Sequence, residues 1–289
     1  MKQEIMIAGI SFKESSLRSN LTAMQKHFEE LFLQIGLHSR IDNFEWQPES
    51  FRMNLPNRYR YYKTWMYSYH LFFMSSRKRL KLPRALVANL YFMARKFLHV
   101  DAESSGRSTA RYMYLDQILT AKHLEAVNKF LETSSDYLLI VCDDVMVSNE
   151  ASIDPEILMQ VVSNQKVSDG IFIEFAPFYS LKQLEKQFNY RVMNESMSGW
   201  FNADFFANTA ACYLINRRAA EQISQAVFEN PNFRLVSIDW MLTYLVRTLS
   251  EGINYWVLFP QPYFNSSLYT GAGGLVGEQF SSLVIKKES

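Results

Sequence analysis

Apolar residues fall along this chain in two rhythms. Short unbroken apolar runs bounded by polar or turn residues read as strands buried on both faces, and longer stretches with three- and four-residue spacing read as helices packed on them. Ile5-Met-Ile-Ala-Gly-Ile-Ser-Phe12 is a run of the first kind. Leu21, Met24, Phe28, Leu31, Phe32 and Ile35 then recur at helical spacing, which predicts a helix over 19–35 that stops at Gly36. Asp42 to Trp46 predicts a short second strand ahead of Pro48. The opening of the chain is therefore β-α.

Beyond residue 107 the same two rhythms return. Leu115, Ile118, Leu119, Leu124, Val127 and Leu131 give a helix over 110–131, and Tyr137 to Cys142 gives a strand that is apolar throughout. A helix over 155–162 and a strand over 170–175 come next, and then an irregular acidic and aromatic stretch, 194–206, of the kind that can close a pocket. Thr209 to Asn216 reads as a small-residue strand that runs straight into a helix at Arg217. A further helix spans 238–249, with Asp239 placed favourably near its N-terminus. Tyr255 to Phe259 is the last predicted strand, broken by Pro260-Gln-Pro262. Strands alternating with helices define an α/β chain.

With 289 residues, 48% of them hydrophobic and 15% aromatic, the chain has enough apolar surface for one substantial domain or two small ones. Its two cysteines, Cys142 and Cys212, lie inside apolar runs, which argues against a disulfide framework and for a reducing compartment. The apolar run at the N-terminus is too short for a secretory signal, so a cytoplasmic location is expected.

Charge changes this picture more than composition does. The net charge is +1, yet residues 51–100 hold eleven Lys or Arg and no Asp or Glu. That block interleaves its bases with Tyr59, Tyr61, Tyr62, Trp65, Tyr67, Tyr69, Phe72, Phe73, Tyr91, Phe92 and Phe97. Segregated bases point to an anionic partner. Bases flanking aromatic faces suit an interfacial helix on an anionic bilayer, with Arg77-Lys-Arg-Leu-Lys81 as its charged elbow. A helical insertion packed on the core, or a phosphate-gripping surface, has the same composition. No nucleic-acid motif accompanies the block, so a nucleic-acid partner is not expected. The chain thus divides into a β-α part (1–50), a basic aromatic insertion (51–107) and the remainder (108–289).

The candidate chemistry gathers at the end of the apolar strand 137–142. Two carboxylates, Asp143 and Asp144, come directly after it. Open α/β sheets take ligands outside the carboxyl ends of their strands, and adjacent acids there can hold a divalent cation on hard oxygen ligands. The same two residues could equally begin a polar turn. No Gly-rich phosphate loop follows the first strand, in which Gly9 stands alone, and this removes both the dinucleotide fingerprint and the Walker A loop. His123, alone on its helix, reads as a packing or hydrogen-bonding residue.

Several of these segments, taken in order, resemble the bacterial glycosyltransferases of the lipooligosaccharide type, family twenty-five. Leu119-Thr-Ala-Lys-His123 through Asp143-Asp144-Val145 is similar to that family's Ser-His helix and the strand ending Glu-Asp-Asp. Thr209 to Ala220 resembles its Ala-Tyr-Leu-Ile-Ser strand with the helix start behind it. Asp239 and Pro260 match a helix-opening aspartate and a late strand-ending proline. Cys142 replaces the acidic first position of the metal motif, Lys122 replaces the serine beside the histidine, and the Asn-Leu-Asp-Arg after the first strand is missing.

The resemblance covers mainly 108–262. It implies the type A glycosyltransferase fold, a Rossmann-like mixed sheet flanked by helices, here with a basic helical insertion. It also implies sugar transfer from a nucleotide-sugar donor to a hydroxyl of a cell-surface glycan or lipid-linked glycan. Asp143 and Asp144 would hold Mn²⁺ or Mg²⁺ against the donor pyrophosphate, with Arg217 as a phosphate contact. An inverting transfer needs a separate carboxylate to take the acceptor proton, and Asp239, then Asp204, are the candidates. With the basic block, this places the enzyme on the inner face of the cytoplasmic membrane. A nucleotidyltransferase and a non-catalytic membrane-associated protein on the same fold are the alternatives.

Overall fold

The computed structural model describes residues 3–13, 17–46, 109–147, 152–163, 169–176, 192–195, 200–203, 210–248, 253–258 and 262–265. The basic block expected as an insertion, Asp204 and the Gly-rich C-terminal segment lie outside the described residues.

In chain order the elements are β1 (Glu4–Phe12), α1 (Arg18–Gln34), β2 (His38–Trp46), α2 (Thr109–Leu131), β3 (Tyr137–Cys142) and β4 (Val145–Val147). Next come α3 (Pro155–Ser163), β5 (Gly170–Glu174), β6 (Val192–Glu195), β7 (Trp200–Ala203) and β8 (Cys212–Asn216). The last are α4 (Arg217–Glu229), a 3₁₀ turn (Pro231–Leu235), α5 (Ile238–Thr248), β9 (Ile253–Leu258) and β10 (Tyr263–Asn265). The expected α/β class, a mixed sheet flanked by helices, is what the chain forms.

The main sheet has eight strands in the order β2-β1-β3-β8-β5-β9-β7-β6. Strands β2, β1 and β3 are mutually parallel, and so are β5 and β9, while β8 runs antiparallel to both of its neighbours, β3 and β5. The segments on either side of the basic block therefore build one sheet, since β1 pairs with β2 from before it and β3 from after it.

Burial explains why these residues form these elements. Every residue of β3 is buried, and Leu138, Leu139, Ile140 and Val141 have no solvent exposure at all, each such side chain stabilising the fold by about 1.5–3 kcal/mol. Helix α1 buries Leu21, Met24, Phe28, Leu31 and Phe32 on one stripe. It ends at Gly36, whose φ of 78° lets the Leu37 N–H return to the Phe32 carbonyl at 3.0 Å. The N–H of Gly36 itself reaches the Leu33 carbonyl, also at 3.0 Å.

Helices cover both faces of the sheet. On the α1 face a cluster of rings joins Phe28, Phe175, Tyr263 and Trp200, with Phe28 and Tyr263 centred 4.9 Å apart. On the α2 face His123, Tyr213 and Phe172 form a stack, with centroids 5.7 and 4.9 Å apart. Among the described residues no helix is long and apolar enough to cross a membrane.

Three stretches depart from the sequence reading. β2 starts at His38 rather than at residue 42, because Arg40 and Asp42, which disguise it as a loop, pair with each other at 2.7 Å on the edge strand. The stretch 194–206, expected to be irregular, contributes β6 and β7, an antiparallel pair that extends the sheet beyond β9. After the proline pair the chain resumes as β10, which pairs antiparallel with β4 in a separate two-stranded ribbon.

Candidate functional site

The carboxyl end of β3 is built by backbone bonds from both neighbouring strands. The Asp143 N–H donates to the Ile10 carbonyl of β1 at 3.0 Å, and the Cys142 N–H donates to the Ala211 carbonyl at 2.8 Å. Because β8 is antiparallel to β3, its beginning lies at this end of the sheet. Asp143 and Asp144 then form a turn, half-buried, between β3 and β4.

A third carboxylate comes to this edge by a different route. In the first turn of α5, Asp239 accepts a hydrogen bond from the Ala210 N–H at 2.7 Å, immediately before β8. Ala210 in turn accepts, through its carbonyl, the Cys142 thiol at 3.9 Å. The electrostatics agree with this convergence. Burial pushes the Cys142 thiol well above its ordinary pKa, and Asp144, Asp143, Cys212 and Asp239 push it further. Burial raises the Tyr213 hydroxyl too, with Cys142 and Asp239 as further causes. The charges of Asp143, Asp144 and Asp239 thus all act to keep one buried thiol neutral.

Beneath the acid turn lies a polar chain. His123 on α2 is fully buried, and that burial lowers its pKa to about 3, so the ring is neutral at ordinary pH. Its Nδ1 lies 2.9 Å from the Tyr213 hydroxyl and its Nε2 lies 3.8 Å from the Cys142 sulfur. The expected packing and hydrogen-bonding role is what its surroundings show.

Asn20, which sequence reasoning missed, holds the turn from the other face. Its Nδ2 donates to the Asp143 carbonyl at 2.8 Å and to the Val145 carbonyl at 2.6 Å. Nothing in the sequence marks it beyond a polar residue in the first turn of a helix, since its partners are more than 120 positions away.

Arg217 does not join these residues. It begins α4 at the far end of β8, where Asn216 pairs with Tyr137 at the start of β3. There its guanidinium donates to the carbonyls of Thr133 at 2.6 Å, Ser135 at 2.9 Å and Leu131 at 3.2 Å, and lies 5.0 Å above the Phe130 ring. The expectation of a phosphate contact is corrected by strand direction: an antiparallel β8 carries its last residue to the edge opposite the acids. Asp204, the second candidate base, lies outside the described residues.

Among the described residues, no three His, Cys, Asp or Glu side chains are grouped to hold a metal ion by themselves. Two adjacent carboxylates nevertheless fit a cation that takes most of its oxygen ligands from a bound diphosphate and water, as Mg²⁺ characteristically does.

The fold and this edge define an α/β chain with a mixed sheet, two adjacent carboxylates at the carboxyl end of a central strand, and a third, Asp239, bonded to the backbone that leads into β8. No family model matches the sequence, and no curated protein does. Among solved structures, the chain is similar to a glycosyltransferase involved in the glycosylation of the major capsid of PBCV-1. The identity is 10%, the alignment covers 97% of this chain and 99% of that one, and the TM-score is 0.31.

Proposed function

We propose that the chain is a glycosyltransferase of the type A fold, moving a sugar from a nucleotide-sugar donor to a hydroxyl of a cell-surface glycan. The observation that supports this best is the Asp143-Asp144 turn at the carboxyl end of β3, with Asp239 drawn to the same edge through Ala210. Ligands of open α/β sheets bind at that edge.

In this reading Asp143 and Asp144 hold Mn²⁺ or Mg²⁺. Such an ion, when bound, offsets the negative charge that grows on the departing nucleotide. Asp239 takes the proton of the acceptor hydroxyl, and Asp204 is the second candidate. The choice of a lipopolysaccharide, lipooligosaccharide or capsule glycan as acceptor rests on the resemblance of 108–262 alone.

The test is product analysis with the full chain, a panel of nucleotide sugars, Mn²⁺ and a glycan extract as acceptor. Donor-dependent release of a nucleoside diphosphate or monophosphate, together with sugar incorporated into glycan, is the expected result. Release of pyrophosphate would make the chain a nucleotidyltransferase, and no turnover of any donor would favour the non-catalytic alternative.

The basic block extends the proposal to location. Eleven bases without an acid in 51–100 favour docking on the anionic inner face of the cytoplasmic membrane, where each base near the surface contributes on the order of 1 kcal/mol. The chain should sediment with vesicles rich in anionic lipid and leave them as salt rises. Equal sedimentation with neutral vesicles would overturn this part.

A further inference from the structure

The turn that carries Asp143 and Asp144 is not held by its own strands alone. A single amide nitrogen, Asn20 Nδ2, bonds the carbonyls on both sides of Asp144, at 2.8 Å to Asp143 and 2.6 Å to Val145. Those two bonds close a small ring around the Asp144 backbone and fix the direction in which its Cα–Cβ bond leaves the turn.

The rest of α1 secures the ribbon beyond the turn. β4 is paired with β10 in the register Val145↔Asn265 and Val147↔Tyr263. Tyr263 is buried, its hydroxyl lies 2.8 Å from His27 Nε2, and its ring packs on Phe28. Asn20, His27 and Phe28 all belong to α1. One helix therefore grips both the acid turn and the ribbon that begins immediately after it. That helix is itself anchored to the sheet by Leu21, Met24, Leu31 and Phe32.

From this geometry we infer that Asn20 is a positioning residue for the carboxylates that bind the cation and diphosphate, an inference that rests on the function proposed above. Its amide bonds backbone carbonyls rather than the carboxylates themselves. It acts through the backbone of Asp143 and Val145. The chemistry of the side chain is specific. The turn needs a donor that serves two acceptors, so Asn20→Ala removes both bonds, and Asn20→Asp turns an oxygen toward two carbonyl oxygens and repels them. The expected order of damage is Asp worse than Ala. Changing a group that holds a metal ligand in place typically weakens metal affinity 10–100-fold.

The experiment titrates Mn²⁺ into the full chain with uridine or guanosine diphosphate present and tracks loss of the free-ion electron paramagnetic resonance signal, well below the unfolding temperature. Wild type should bind Mn²⁺ in a nucleotide-dependent way. Asn20→Ala should need about tenfold more Mn²⁺ for half-saturation, and Asn20→Asp more still. Amide hydrogen exchange in 142–147 should also rise in both variants while exchange in β1 and β5 stays as it was. Wild-type affinity in both variants would overturn the inference alone, leaving Asn20 as a purely architectural residue. If the wild-type chain binds no Mn²⁺ with either nucleotide, the metal reading and this inference fall together.

Discussion

The two ends of β3 use polar side chains differently. At its amino end, Arg217 and Asn216 are engaged with backbone: Arg217 with the carbonyls just beyond α2, and Asn216 with Asp169, Ile171 and Ala219 at 2.9 Å each. At its carboxyl end, the groups that engage backbone are Asn20 and Asp239, while Asp143 and Asp144 stand half-buried at the rim of the turn. In the function proposed above, the first end closes the molecule and the second offers charge to a ligand. A charged residue at a strand–helix junction looks the same in both places. Strand direction decides which job it has.

The contrast predicts opposite outcomes for two alanine variants. Asp144→Ala should lower transfer by about a thousandfold or more, roughly 4 kcal/mol of transition-state stabilisation, and leave denaturant unfolding within about 1 kcal/mol of wild type. Arg217→Ala should do the reverse. It strands carbonyls that now receive charged hydrogen bonds, so a stability loss of about 3 kcal/mol is expected, with the Mn²⁺ requirement unchanged. A variant at Arg217 that folds normally and loses nucleotide response would erase the distinction between the two ends.

Asp239→Asn tests which side of the comparison Asp239 falls on. The amide keeps an oxygen to accept from Ala210 N–H but cannot take up a proton, so turnover should fall about a hundredfold with donor binding retained. Parallel loss of donor affinity, measured by calorimetry, would move Asp239 from base to binding residue.

The smallest effect concerns the neutral chain under the turn. His123 has a pKa near 3 in the fold, against the usual 6.5, so between those values the unfolded chain binds the extra proton and stability falls as pH falls. From pH 7 to 5 the loss should be about 2 kcal/mol, and His123→Gln should remove that part of the slope. Identical slopes for the two proteins in denaturant titrations would contradict the buried, neutral histidine.

Much of this architecture was readable in the sequence because it depends on local rhythm. The apolar run of β3, the stripe of α1 and the stop at Gly36 each carry their own signal, and so does the acid pair. What escaped depends on pairing across distance. β10 is only three residues long and starts directly after Pro262, too short to announce itself, and becomes a strand only because β4 is there to receive it. Asn20 and Arg217 are polar residues in first helical turns, and what distinguishes them is the sheet order: an antiparallel β8 carries Arg217 away from the acids, and a parallel β1 carries the start of α1 toward them. No window of sequence contains that information.

The position of β1 has a consequence for how the chain is made. Glu4 and Asp136, which hydrogen-bond where β1 and β3 begin, are 132 residues apart, whereas β2 emerges soon after β1. At synthesis rates of 5–20 residues per second, roughly 7 to 26 seconds separate the appearance of β1 from that of β3. For that interval the β3-facing edge of the first strand, apolar on both faces, is a template awaiting its partner. The ribosome's pace, rather than the stability of the finished sheet, sets how long that edge stays open to the wrong strand.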